Sequence, residues 1–271
     1  MKKIILITGA SSGMGKEAAK SLIQKGHTVY TAARRIDQMQ DLKNMGGYPI
    51  RMDIIKEEDI QNVVDTIIRR EGRIDVLWNN AGFGLYGSVE DVPLEEARKQ
   101  MEVNVFGMAA MTQKVIPYMR KARSGTIINT SSMGGKMYFP MGAWYHASKH
   151  AVEGLSDCLR LELKSFNIKV VVLEPGFIAT EFGSVLLDNF SKISKGSAYG
   201  NMMDKIAKGT ADAAKGNGSS KPDVIAEAIV KIVNSNNPKT RYKVGKYSVM
   251  MPWLRVYLGD RLFDKIVMSQ M

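Results

Sequence analysis

A chain of 271 residues, 45% hydrophobic and 24% charged, has ordinary globular composition, enough for one large α/β domain or two small ones. Its net charge of +11 invites nucleic-acid binding, but the lysines are scattered and no basic cluster appears, which favours a basic enzyme with anionic ligands. A single cysteine, Cys158, excludes an intrachain disulfide and a cysteine-based metal site, and no apolar run approaches the roughly 20 residues of a membrane-spanning helix.

Met1-Lys2-Lys3 before Ile4–Ile7 imitates a signal peptide, yet the apolar stretch is far shorter than the roughly 7–15 residues of a secretory core. It reads as a first strand, and the protein as cytoplasmic. Helix-period and apolar segments then alternate: helix Lys16–Lys25, strand Val29–Ala32, helix Glu57–Arg70, strand Val76–Trp78, helix Leu94–Ala122, strand Thr126–Ile128, helix Ala147–Ser165 and strand Val170–Leu173. Repeated β-then-α order implies a parallel sheet with helices on both faces, joined by right-handed crossovers. The expected fold is α/β, a doubly wound Rossmann-type sheet in a single domain. Residues 183–222, rich in Lys, Ser, Gly and Ala, break the pattern and read as a substrate loop or lid, with Ser197–Ala214 helical and Lys215–Lys221 loose. A helix over Val224–Val233, a strand over Tyr242–Val244 and an amphipathic C-terminal helix over 252–267 complete the chain.

Between the first strand and first helix lies Thr8-Gly9-Ala10-Ser11-Ser12-Gly13-Met14-Gly15. Gly9 permits a tight turn, Gly13 lets backbone amides approach a pyrophosphate, and Gly15 allows close helix–strand packing. The helix N-terminus supplies N–H groups and partial positive charge. A P-loop fails here: Ala10 occupies its first glycine position, and Glu17 follows Lys16 where a hydroxyl is required. The second strand ends Ala32-Ala33-Arg34-Arg35, without the carboxylate that bonds the ribose hydroxyl of NAD. Arg34 is suited to clamp a 2′-phosphate instead, so NADP(H) is the expected dinucleotide. Arg34 and Arg35 as solvated turn residues would leave the missing acid unexplained.

Tyr145 and Lys149 stand four apart and share one helix face. A tyrosine with a pKa near 10 is a poor base at neutral pH, and a neighbouring cation stabilises its phenolate. That suits general acid–base work. The spacing is common, however, and Tyr242 with Lys246 repeats it.

The Thr-Gly-x-x-x-Gly-x-Gly turn resembles that of the short-chain dehydrogenases/reductases. In that family a serine ending the fifth strand precedes the tyrosine by about a dozen residues. Ser132 lies 13 residues before Tyr145, whereas Ile229 occupies that position relative to Tyr242. A one-residue shift turns a strand side chain to the other face, which favours Ser132 over Ser131; a bulge at the strand end would reverse the choice. The resemblance extends to Asn79-Asn80-Ala81-Gly82 after the fourth strand, Asn104 within the long helix, Pro175-Gly176 after the sixth strand with Ile178 and Thr180 following, and Asp53 after the third.

By this resemblance Tyr145 exchanges a proton with a carbonyl or alcohol oxygen. Lys149 lowers the tyrosine pKa and holds the nicotinamide ribose, Ser132 bonds the substrate oxygen, and Asn104 anchors a water. The cofactor site takes in Thr8, Gly9, Ser11, Ser12, Gly13, Met14, Gly15, Arg34, Asp53, Asn80, Ala81, Gly82, Tyr145, Lys149, Pro175, Gly176, Ile178 and Thr180. Segments such as Arg241–Gly245 and Asp260–Asp264 are most similar to the hydroxysteroid and retinol dehydrogenase branch, which implies a small lipophilic alcohol or ketone. Met133, Met137, Tyr138, Phe139 and Met141, with Phe83, Leu85 and Phe177, are expected to flank it. A homodimer or homotetramer through the long helices is also implied. The C-terminal helix either packs over the substrate loop or a neighbouring subunit, or touches a membrane surface.

His146 and His150 have helical zinc spacing, but neither a glutamate beside them nor a third ligand is evident, so no metal is expected. Cys158 reads as packed, and His27 as a turn residue before the second strand. A non-catalytic NADP(H)-binding regulator and a nucleic-acid binder are the rival classes; the presence of Tyr145 and Lys149 and the scattered lysines count against them. A sugar-nucleotide epimerase needs a larger C-terminal region than follows Pro175.

Overall fold

The computed structural model describes residues 1–180, 196–215 and 218–269. Strands β1 (Ile4–Thr8), β2 (Thr28–Ala33), β3 (Tyr48–Arg51), β4 (Val76–Asn79), β5 (Gly125–Thr130), β6 (Ile168–Pro175) and β7 (Arg241–Val244) form one sheet in the order β3-β2-β1-β4-β5-β6-β7. Every neighbouring pair is parallel. The helices are α1 (Gly13–Gln24), α2 (Gln40–Asn44), α3 (Glu57–Glu71), α4 (Leu94–Met101), α5 (Met108–Ala122), α6 (Ala143–Glu162), α7 (Gly200–Lys215), α8 (Asp223–Asn234) and α9 (Met250–Ser269).

The central strands are apolar throughout because both faces are covered. In β1, alternation sends Ile4 and Leu6 into a core with α3, α5 and α6. Ile5 and Ile7 enter the opposite core with α1 and α8. Each such side chain contributes roughly 1.5–3 kcal/mol on burial. Polar side chains lock the carboxyl ends of the strands. Trp78 Nε1 donates to Thr130 Oγ1 at 2.9 Å. Asn79 Nδ2 donates to Asn129 Oδ1 and Thr112 Oγ1, both at 2.9 Å. Asn129 Nδ2 in turn donates to Ser156 Oγ on α6 at 3.0 Å. The strand order reverses between β1 and β4, where open α/β sheets present a ligand crevice.

Four expectations need correction. The expected helix over Leu94–Ala122 is interrupted by a π-helical turn over Glu102–Gly107. A Cβ on Gly107 would stand 2.6 Å from Ile54 O, so the widened turn rests directly on the loop after β3. Helix α6 starts at Ala143 rather than Ala147, which brings Tyr145 inside it. Helix α9 is longer than expected and broken at Gly259, whose φ of 71° is non-helical. Cys158 is exposed rather than packed.

Of the expected lid over 183–222, residues 183–195 and 216–217 lie outside the described residues. Its helix α7 buries Met203 against Met141, with Tyr86, Met202 and Ile206 around them. Beyond it, Met251, Phe263 and Val267 of α9 pack on Met133 and Met137, in the segment after β5 rather than on the 183–222 segment. No described helix is long and apolar enough to cross a membrane.

Candidate active site

The glycine turn is closed by its neighbours rather than by itself. Gly9 has φ +69°, and a Cβ there would lie 2.7 Å from Ala81 Cα. Thr8 Oγ1 accepts from the backbone N–H groups of Asn80 and Ala81, each at 3.0 Å. Asn80 Nδ2 returns bonds to Thr8 O and Gly9 O at 3.1 Å. Gly15 admits that amide: a Cβ would sit 2.5 Å from Asn80 Nδ2. Gly13 faces Thr180, and Met14 packs against the core of α1 and α8. Pro175 ends β6, and Gly176 meets the β7–α9 loop. Ile178 pairs with Ser220. The N–H of Asp53 donates to Asp59 at 2.7 Å.

These residues fit a dinucleotide. The Ser12 side chain does not cap α1, which leaves the first-turn amides to an external anion. Buried Asn80 Oδ1 has no partner among the described residues. Arg34 and Arg35 are both exposed, and Arg35 Nη2 donates to Ser12 Oγ at 3.1 Å and makes a longer contact with Ser11 Oγ at 3.4 Å. The second arginine of the pair is therefore the one that reaches the glycine turn.

The catalytic candidates converge at the carboxyl end of β5. Ser132 adopts an extended conformation, and its Oγ accepts from Gly134 N at 3.0 Å, starting the short turn Met133–Gly135. It lies close enough to the Tyr145 phenol to lower its pKa. Ser131 instead contacts Ser132 O at 3.5 Å. Lys149 Nζ lies 5.9 Å from the Tyr145 ring centroid and donates to Thr130 O at 2.9 Å. All three side chains are buried. Burial pushes the Tyr145 phenol up to about 12, against Ser132, which lowers it. Burial brings the Lys149 ammonium down to about 8, opposed by the charge of Glu153. In the protein alone, desolvation thus outweighs the expected acidification, and Tyr145 stands as a protonated phenol.

Asn104, in the π turn, is strapped to the loop after β4. Phe83 N donates to its Oδ1 at 3.0 Å, while its Nδ2 donates to Phe83 O at 2.9 Å and Ser148 Oγ at 3.1 Å. Gly82 completes the approach, since a Cβ there would lie 3.1 Å from Asn104 Oδ1 and 3.7 Å from Lys149 Nζ.

Two contributors escaped sequence reasoning. Half-buried Tyr86 places its ring centroid 5.4 Å from that of Tyr145, and desolvation raises its pKa well above the usual value. Its position beside Phe83 and Leu85 was the available signal. His146 was set aside as surface or packing; it is buried and clamps the segment after Ser132. Its Nδ1 bonds Gly134 O at 2.9 Å and its Nε2 accepts from Phe139 N at 3.0 Å, which fixes the proton on Nδ1. Both ring nitrogens are thus spent, and the described residues contain no group of three or more metal-ligating His, Cys, Asp or Glu side chains.

Known proteins are similar to this chain in sequence and fold. A family model for short chain dehydrogenase matches residues 3–189. The chain is 42% identical over 267 residues to 3-ketodihydrosphingosine reductase of Bacteroides thetaiotaomicron, covering 97% of this chain and 95% of that protein. Among solved structures, a short-chain dehydrogenase from Streptomyces avermitilis superposes with a TM-score of 0.79 at 31% identity, covering 99% of this chain and 94% of that one. A serine dehydrogenase complexed with NADP+ gives 0.76 at 28% identity, covering 88% and 92%. The chain belongs to the short-chain dehydrogenase family and is an oxidoreductase.

Proposed function

We propose that the protein uses NADP(H) to interconvert a ketone and a secondary alcohol on a lipophilic substrate, with Tyr145 as the general acid and base. The convergence of buried Ser132, Tyr145 and Lys149 at the carboxyl end of β5, with Lys149 one helical turn from Tyr145, carries this reading. When bound, the nicotinamide supplies or accepts the hydride. A ketone oxygen then takes the proton of the Tyr145 phenol while Ser132 donates a second hydrogen bond to the developing oxyanion. The Lys149 ammonium offsets phenolate charge and holds ribose hydroxyls. Asn104, besides strapping the loop, keeps a lone pair on Oδ1 for a water beside Lys149.

Thr8, Gly9, Ser11 to Gly15, Asn80, Ala81, Gly82, Asp53, Pro175, Gly176, Ile178 and Thr180 line the dinucleotide. Arg35, with Arg34, takes the 2′-phosphate. That preference for NADP(H) rests on the Arg35 contacts with Ser11 and Ser12 and on the serine dehydrogenase that holds NADP+.

For the substrate, the relative named for a sphingoid ketone points to a long-chain amphiphile, a different lipophilic class from the steroids and retinoids that the sequence suggested. The methionine wall supports it: Met141, Met202 and Met203 meet Tyr86 beside Tyr145, and such unbranched side chains adapt to an alkyl chain. A cytoplasmic homo-oligomer paired through α4, α5 and α6 completes the reading. NADPH consumption measured against 3-ketodihydrosphingosine, a steroid ketone, retinal and a short aliphatic ketone tests it. Highest kcat/KM on the sphingoid ketone is expected; turnover confined to the short ketone would remove the lipophilic assignment.

A further inference from the structure

Helix α6 carries a third titratable group on the Tyr145–Lys149 face. Glu153 follows Lys149 by the same interval that separates Lys149 from Tyr145, and its side chain is 5% exposed. Two cations from other elements hold it. Lys136, in the segment after Ser132, approaches Glu153 Oε2 at 3.1 Å, and Arg241 of β7 pairs with the same oxygen. Arg241 also bonds Glu174 Oε1 at 2.9 Å and both oxygens of Asp157, at 2.7 and 2.6 Å. Glu174, fully buried, immediately precedes Pro175-Gly176. Gly135 fits against Glu153 because it lacks a side chain: a Cβ would stand 3.0 Å from Glu153 Cγ and 3.0 Å from Lys149 O. Glu153 Oε1 is buried and accepts no hydrogen bond among the described residues.

An ion pair joining β7 to α6 needs only Arg241 with Asp157, which lies nearer the surface. Placing a second carboxylate deeper, with one oxygen unpartnered, costs desolvation that such a tether does not require. That cost has a use if the charge acts on a neighbour. We propose that Glu153 is a positioning residue of the Tyr145–Lys149 pair: its buried carboxylate is the counter-charge of the Lys149 ammonium and, through Gly135 and Lys136, the buttress of the segment that presents Ser132. The proposal rests on the assignment of Tyr145 and Lys149 as the reacting pair.

The sign of the effect follows from charge. A nearby anion favours the protonated form of both Lys149 and Tyr145, and reduction requires the proton on Tyr145. Lys136 and Arg241 oppose Glu153 from the segment after Ser132 and from β7, and Lys243 acts on Glu174. Glu174 on β6 and Asp157 on α6 reinforce Glu153, and Arg160 faces Asp157. Around the pair itself stand the neutral groups Tyr86 and His146, with His150 one turn beyond His146.

The test is the alkaline limb of kcat/KM for NADPH-driven ketone reduction in the full-length protein. Glu153→Gln should move that limb to lower pH by about half a unit or more. Glu153→Asp, which keeps the charge, should leave it near the wild-type position. Lys136→Gln removes a half-exposed opposing cation and should move the limb to higher pH. A limb common to the wild type and all three variants would overturn the proposal, even where melting temperature or KM changes. Should Glu153→Gln fail to fold, Lys136→Gln decides alone: an unmoved or lowered limb rejects the role. Tyr145→Phe serves as the control, because retained turnover there would refute the underlying reaction assignment rather than the role of Glu153.

Discussion

Replacing Asn104 by alanine tests whether the π turn exists to strap the loop after β4. The carboxamide makes three hydrogen bonds, two to the Phe83 backbone and one to Ser148 Oγ. Their losses are unequal. Phe83 O keeps a bond from Gln100 Nε2 at 3.1 Å, and Ser148 Oγ still donates to Tyr145 O at 2.7 Å. Phe83 N loses its acceptor, costing about 1–3 kcal/mol, and the other two bonds are worth about 0.5–1 kcal/mol each. The sum is about 2–5 kcal/mol, or a melting temperature lower by roughly 5–15 °C for a chain of this size. Scanning calorimetry measures it, and NADPH-driven ketone reduction should fall alongside, since Gly82 in the same loop borders Lys149. A melting temperature within about 2 °C of wild type would refute the strap. Native stability with lost turnover would instead assign Asn104 wholly to the reaction.

Further outcomes follow from other contacts. Arg35→Asp should lower the NADPH-to-NADH ratio of kcat/KM about tenfold or more, and more than Arg34→Asp does, because only Arg35 reaches Ser11 and Ser12. A wild-type preference for NADH, or a ratio indifferent to both changes, would reject the 2′-phosphate site. Gly176→Ala would force a Cβ to within 1.9 Å of Lys246 O, so a loss of about 3 kcal/mol or more, read as a lowered melting temperature, is expected. His146 stays neutral in the folded protein down to about pH 4 because of burial, whereas the unfolded chain binds that proton near 6.5. Folding stability should therefore fall as pH drops from 6.5 towards 4, by up to about 3 kcal/mol, and His146→Gln should flatten that part of the profile. Urea denaturation across this range checks it; equal slopes in the two proteins would contradict the assignment.

The sheet was legible because doubly covered strands must be apolar on both faces, as Ile4–Ile7 and Val170–Leu173 are. The glycine turn was legible because Gly9 and Gly15 answer steric demands that no other residue meets. What escaped depends on contacts between distant segments. The π turn arises where Gly107 rests on Ile54 and Asn104 meets Phe83, neither of which leaves a periodic trace. Which of Arg34 and Arg35 turns back to Ser12 is decided by the loop, beyond the alternation of β2. His146 looked like half of a zinc pair because its true partners, Gly134 O and Phe139 N, are backbone atoms. Cys158 was readable and misread: the buried residues of α6 run Lys149, Val152, Glu153, Ser156, Leu159, and position 158 falls out of that phase.

The most direct measurement compares Tyr145→Phe with the wild type in two assays, NADPH affinity by fluorescence titration and single-turnover reduction of a ketone. Affinity close to wild type with hydride transfer slower by about 10²–10⁴-fold is the result expected if this buried phenol supplies the proton. Transfer at a rate near that of the wild type would mean that the proton comes from elsewhere.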